Sequence, residues 1–223
     1  MASTKIIERP DSLSKSAEKH IRDSITKGYF RLGEPLKEAK LSAELGISKT
    51  PIREAFAALK LQGLVKILPQ RGTFVFTLSE QDVIQLCRYR TILENSALDL
   101  ALAKDPKALM TTLKQVLADM RVARAADDFQ AYLELDAAFH DAFFEHCGNS
   151  YLVEGYQKVA DIVRTMRTHL SKRPTRTDKS FDEHVRIIQF LDKGHVDAAK
   201  EVLEIQITRG ERAYSDLAEV KDL

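Results

Sequence analysis

From Leu13, apolar residues recur at Ala17, Ile21 and Ile25, a spacing that predicts one helix ending near Gly28. Residues Met1 to Pro10 before it are polar and read as a loose arm. Phe30, Leu32, Gly33, Pro35 and Leu36 make a short connection. The stretch AKLSAELGISKTPIREAFAALKLQGL, Ala39 to Leu64, then reads as two helices joined by a tight turn. Gly46 suits the left-handed stop of the first. Ser48 offers a side-chain oxygen to cap the second, and Pro51 falls in its first turn, where a missing N–H costs nothing. Leu41, Leu45, Ile47, Ile52, Ala55, Phe56 and Leu59 form the predicted seam between them.

After Leu64 the period shortens from helical to alternating. Val65 to Leu68 and Thr73 to Phe76 read as strands around a tip of Pro69, Gln70, Arg71 and Gly72. A helix-turn-helix followed by such a hairpin is a winged helix. Helical periodicity returns beyond Thr77 to Gln81, which predicts a domain boundary there, with one domain over 1–77 and another over 78–223. Six helices are predicted in the second: from about Ser79 to Ala103, Asp105 to Ala126, Asp128 to Cys147, Asn149 or Ser150 to Ser171, Asp178 to Lys193 after a polar KRPTRTD loop, and His195 to Glu219. Long helices with short connections imply an antiparallel bundle. The expected fold is mainly α, an N-terminal winged helix-turn-helix domain followed by an all-α bundle.

Charge sharpens the division. Up to Thr77 there are 14 Lys and Arg against 8 Asp and Glu, a net of +6; from Leu78 there are 20 against 25, a net of −5. The basic share coincides with the winged helix, as neutralising phosphates requires. Lys49, Thr50 and Arg53 project from the front of the second helix of the turn, and they are types that bond phosphates and base edges. No apolar run is long enough to span a membrane and no signal-peptide core is present, so a cytoplasmic location is expected. Cys87 and Cys147 are too few and too scattered for a disulfide framework or thiolate site and read as reduced core residues. There is no Gly-rich phosphate loop, nucleophile elbow or internal repeat.

The bundle's apolar stripes are interrupted by polar residues. Phe129, Tyr132, Leu133, Phe139, Phe143 and Phe144 define one helix face that also holds Asp136 and His140, four apart, a spacing at which two ligands can share a metal. His184 stands among Phe181, Ile188 and Leu191; Gln206 among Val196, Ala199, Leu203, Gly210 and Ala213; Arg90 among Val83, Leu86, Leu93 and Ala97. Such groups pointed into a core must be paired, hydrogen-bonded or metal-bound. Two outcomes fit: a satisfied polar network that sets helix register, or a ligand chamber where polar groups gather. For Arg90 an ordinary ion pair with Glu94 suffices. His20, His146, His169 and His195 read as structural or surface residues.

At this point the chain resembles the GntR family of transcriptional regulators, in its FadR subgroup with a C-terminal FCD domain. The resemblance rests on LGISKTPIREAFAALKLQGLV, QRGTFV, LSEQDVIQLCRYRTILE, the pair in LDAAFH, and EHVRII. It implies a homodimer on a palindromic double-stranded operator, controlled by a small-molecule effector, a carboxylic acid by expectation, and no enzymatic activity. Carried over, Ser48, Lys49, Thr50 and Arg53 match recognition positions, and Arg71 and Gly72 match the wing tip. A contact position that is often Arg falls at Ala39, and its role passes to Lys40 or is absent. One divalent metal of the Zn, Ni or Mn type is implied at Asp136, His140 and His184. Gln206 stands where the family has a third His, which leaves the metal held less tightly, held by three ligands plus water or effector, or missing. Arg90 is implied as an anchor for an anionic effector, with Ser180 and Gln206 beside it. Two other readings stay open: a metal-dependent all-helical hydrolase built on the His140–Asp141 dipeptide, and a DNA-binding dimer that senses nothing.

Overall fold

A computed structural model describes residues 12–170 and 174–219, without side-chain placement at Leu170, 174–176 and 211–219. The expected arm at Met1 to Pro10 lies outside the described residues, as does the side chain of the stripe position Ala213. The chain divides into two compact units, Met1–Thr77 and Leu78–Leu223.

The first unit holds α1 (Leu13–Thr26), β1 (Pro35–Leu36), α2 (Glu38–Leu45), α3 (Lys49–Leu61), β2 (Val65–Leu68) and β3 (Gly72–Val75). Ser12 caps α1 by accepting from Lys15 N–H. Ala17, Ile21 and Ile25 of α1 are buried with Leu41, Ile52, Ala55, Phe56 and Leu59 of the helical pair. Each large side chain so buried contributes about 1.5–3 kcal/mol. Leu45 and Ile47 of the predicted seam are only half-buried. Gly46 ends α2 at φ +66°, and a Cβ there would touch nothing, so the backbone angle and not space requires glycine. Ser48 is in the N-cap position of α3 with extended backbone, yet its side chain makes no capping hydrogen bond, contrary to expectation. The hairpin pairs Val65 with Val75 and Leu68 with Gly72, so β3 begins at Gly72, one residue before the predicted strand. The stretch read as mere connection supplies a third strand: β1 pairs antiparallel to β3, giving the order β1-β3-β2.

The second unit contains α4 (Glu80–Lys104), α5 (Pro106–Ala125), α6 (Phe129–Cys147), α7 (Ser150–Leu170), α8 (Pro174–Asp192) and α9 (Val196–Glu219). Ser79 and Asp82 form a reciprocal capping box on α4; Asp105 caps α5 with Pro106 in its first turn. Gly148 stops α6 at φ +68°. Helix α8 starts at Pro174 and not Asp178, because proline fits a first helical turn, so part of the expected polar loop is helix. The core gathers Leu98, Leu109, Leu113, Met120, Phe139 and Phe143 with apolar residues of α8 and α9. Phe129 departs from the predicted face: as the first residue of α6 it is exposed. Both cysteines are buried and neither is in a disulfide. No described helix is long and apolar enough to cross a membrane.

Candidate functional site

On the first unit, Lys49, Thr50 and Arg53 lie along one exposed face of α3. Lys49 and Arg53 are one turn apart and so share a side of the helix. Arg53 is anchored on one side only: its Nε donates to Glu38 Oε2 at 2.8 Å. Ser48 is exposed beside them, and Lys40 is exposed with Glu44 at 3.7 Å. At the hairpin, Arg71 N–H donates to Leu68 O, and Gln70 occupies the left-handed region at φ +61°. Arg71 and Gly72 are exposed at this tip.

In the second unit the polar residues of α4, α6, α7, α8 and α9 converge. Asp136, His140 and His184 are all buried, and one ligand atom of each lies within 4.8 Å of the others. Asp136 and His140 face the same way because one turn of α6 separates them, and the Phe139 ring lies 4.2 Å from the His184 ring and holds it in place. His140 Nδ1 donates to Glu94 Oε2 at 2.5 Å, which leaves Nε2 for any other partner. Glu94 Oε1 in turn accepts from Arg90 Nε at 2.9 Å. Arg90 is 2% exposed, and its guanidinium is ion-paired with Glu94.

A second arginine enters the cluster. Arg167 of α7, absent from the sequence reading, sets its Nη1 3.1 Å from Asp136 Oδ2. Ser180 Oγ donates to Asp136 Oδ1 at 2.8 Å, and Gln206 Nε2 stands 3.2 Å from Ser180 Oγ and 3.0 Å from His184 Nε2. Gln206 Oε1 and His184 Nδ1 are buried and hydrogen-bonded to nothing among the described residues. A half-turn of the amide exchanges its oxygen and nitrogen, so Gln206 can present an oxygen toward His184 and Asp136.

Electrostatics follow from burial and pairing. Burial alone would raise the Asp136 carboxyl, but Arg167, then His184 and His140, hold it down to about 2. Glu94 is likewise held well below the usual carboxylate range: burial opposes this, and Arg90 and His140 prevail. Burial pushes His184 down to about 3, with Asp136 only partly opposing, and it lowers His140 against the pull of Glu94. Both rings are therefore neutral at pH 7, the form in which imidazole binds metals. The buried set is two carboxylates, two guanidiniums and two neutral rings, with no net charge.

Asp141 stands apart from this cluster. It accepts from Arg164 at 2.5 Å and is partly solvent-exposed, as its place about 100° round the helix from His140 requires. His146, by contrast, is tied to Thr112 Oγ1 at 2.9 Å.

The profile of the FCD domain matches residues 85–208, and that of the bacterial regulatory proteins of the gntR family matches residues 13–75. The chain is 28% identical over 186 residues to the HTH-type transcriptional repressor RspR of Escherichia coli K12, covering 82% of this chain and 80% of that one. It is 24% identical over 176 residues to the gluconate operon transcriptional repressor of Bacillus licheniformis, covering 77% and 72%. Among solved structures it resembles a GntR regulator from Rhodococcus sp. RHA1, with a TM-score of 0.78 at 23% identity over 91% of this chain and 97% of that one. It also resembles E. coli McbR/YncC, with a TM-score of 0.77 at 17% identity over 93% and 100%. At these identities the structural likeness concerns the fold.

Proposed function

This chain belongs to the GntR family of bacterial regulatory proteins, its second unit being an FCD domain, and from that premise we propose that it is a cytoplasmic, homodimeric transcriptional regulator whose grip on operator DNA is set by a small anionic effector. Lys49, Thr50 and Arg53 enter the major groove, with Ser48 and Lys40 on the adjoining backbone, while Arg71 and Gly72 lay the wing on phosphates or in the minor groove. Tyr89, Ile92 and Leu100 put exposed apolar side chains on α4, which suits the face of a second copy. The repressor functions named for its relatives agree with this reading.

The donor set suits a divalent metal of the Zn, Ni or Mn type: one carboxylate, two neutral imidazoles and an amide whose oxygen lacks a partner. Asp136, His140 and His184 would hold it, with Gln206 as the weakest donor. A bound ion there supplies a Lewis acid and a fixed positive charge. Glu94 orients His140 from behind, the role that outer carboxylates play for ligating histidines. The cations of this cluster, Arg90 and Arg167, are what an effector carboxylate meets, with Ser180 and Gln206 as further donors. Effector binding then changes DNA affinity only as far as it favours one arrangement of the dimer over another.

The observation that carries this reading is the convergence of Asp136, His140 and His184, with Glu94, Arg90 and Arg167 beside them, inside an apolar core. A thermal-shift screen with small carboxylic acids and divalent metals tests it. At least one combination raises the melting midpoint and alters DNA retardation in a gel at fixed salt. If no combination does either, the protein is a DNA-binding dimer without an effector. Phosphatase turnover with added Mn²⁺ would restore the hydrolase reading, against which Asp141 is turned toward Arg164.

A further inference from the structure

Arg53 is mostly exposed, and among the described residues its only polar partner is Glu38, the first residue of α2, reached through Nε at 2.8 Å. Arginine carries five N–H donors; with Nε occupied, the four on Nη1 and Nη2 remain as an end-on fork. That fork matches the O6 and N7 acceptors of guanine in a major groove. A long side chain left to itself would sample many rotamers and satisfy itself equally well on any phosphate. Glu38 is also an odd residue to find there. A carboxylate on a face that meets phosphates opposes the counterion release that drives association, so it weakens binding unless it does something for specificity.

From this geometry we infer that Glu38 is a positioning residue for base readout: it holds Arg53 as a fork aimed at one base pair and keeps it off the backbone. The inference rests on the reading of the first unit as DNA-binding. Its consequence is a split between two quantities that usually move together. Removing the carboxylate lowers discrimination between sequences while leaving affinity for arbitrary DNA the same or tighter.

The test uses the full-length protein. Selection from a randomised duplex library at fixed salt defines the preferred duplex. Fluorescence anisotropy then gives Kd for that duplex and for a scrambled one of equal composition, with Glu38→Ala, Glu38→Gln, Arg53→Ala and the double variant. Thermal melts confirm folding, which an exposed pair hardly affects. Glu38→Ala is expected to lower the ratio of the two affinities about tenfold, the scale of one bidentate base contact, with scrambled-duplex binding unchanged or tighter. Glu38→Gln retains an acceptor and recovers most of the ratio. Selection with Glu38→Ala loses preference at the same base pair as Arg53→Ala, and in the Arg53→Ala background Glu38→Ala changes the ratio no further. An unchanged ratio, a loss at a different base pair, or a loss that persists without Arg53 overturns the inference. If the unaltered chain enriches no sequence at all, the DNA-binding reading itself fails, and this inference with it.

Discussion

Glu94 and His140, forty-six positions apart in sequence, meet through a 2.5 Å hydrogen bond in a place that solvent does not reach. The bond fixes which ring nitrogen carries the proton. The same carboxylate neutralises Arg90, so one acid satisfies two buried partners. Glu94→Gln is expected to lower stability by roughly 3–5 kcal/mol, the usual result of leaving one member of a buried pair uncompensated, and to weaken metal affinity by about 10–100-fold. Urea unfolding and chelator competition measure the two. A variant as stable as the original would mean that Arg90 finds another acceptor.

Gln206 contributes an amide where an imidazole would bind divalent transition metals more tightly. Gln206→His should therefore raise affinity for Zn²⁺ or Ni²⁺, and His184→Ala should abolish stoichiometric loading. Elemental analysis after dialysis against a defined metal buffer reads both. At a free metal concentration of about 100 times Kd, loading adds about 2.7 kcal/mol to stability, visible as a higher melting midpoint that EDTA reverses.

Acid should weaken the metal-free protein in two stages. His184, ordinarily near 6.5, is pushed down to about 3 by burial, and His140 moves in the same direction for the same reason. Below about pH 6.5 the unfolded chain therefore takes up protons that the folded chain refuses. Stability falls with falling pH, by about 1.4 kcal/mol per pH unit for His184, with His140 adding in the same direction. Asp136 contributes fully above 3.8 and fades as pH drops toward 2, because Arg167 and the imidazoles outweigh the upward pull of burial. Chemical denaturation of the chelated protein at pH 7, 6, 5 and 4 gives the slope, and His184→Gln should flatten it. A flat profile in the unaltered protein would contradict buried neutral rings.

Arg53 and Arg71 should differ in kind. Arg53→Ala is expected to cost roughly 1–3 kcal/mol on the preferred duplex and to relax the choice of one base pair. Arg71→Ala, at an exposed tip, should weaken binding to all duplexes alike and reduce the salt slope by about one. Titrations at three salt concentrations separate the two behaviours.

Local signals made most of the architecture readable in advance. The shift from a period near 3.6 to alternation after Leu64 marks the hairpin, and Gly46 and Gly148 mark helix ends because each sits at a positive φ. Strand β1 was not readable, since two residues become a strand only through the partner they find in β3. Asp136, His140 and His184 announced themselves by interrupting apolar stripes. The Arg90–Glu94 pair was legible from its spacing, but the reach of Glu94 to His140 was not, because a glutamate one turn from an arginine usually marks a solvated face, whereas here both are buried. Arg167 was hidden among the polar neighbours Arg164, Thr165 and Thr168. The available signal was its place four residues after Val163 and one after Met166, both buried. The Ser48 cap failed for a different reason: the residue type favours capping, but only the rotamer decides whether the hydroxyl turns back.

Ser180 gives its proton to Asp136 on α6 and stands within reach of the Gln206 amide on α9, while itself belonging to α8. A hydroxyl has one proton to give, so whatever claims that oxygen of Asp136 obliges Ser180 to swing away, and Gln206 must answer. Three rods are knotted at a single oxygen atom. An arrival no wider than one bond is felt there as a question of how the rods lie against each other.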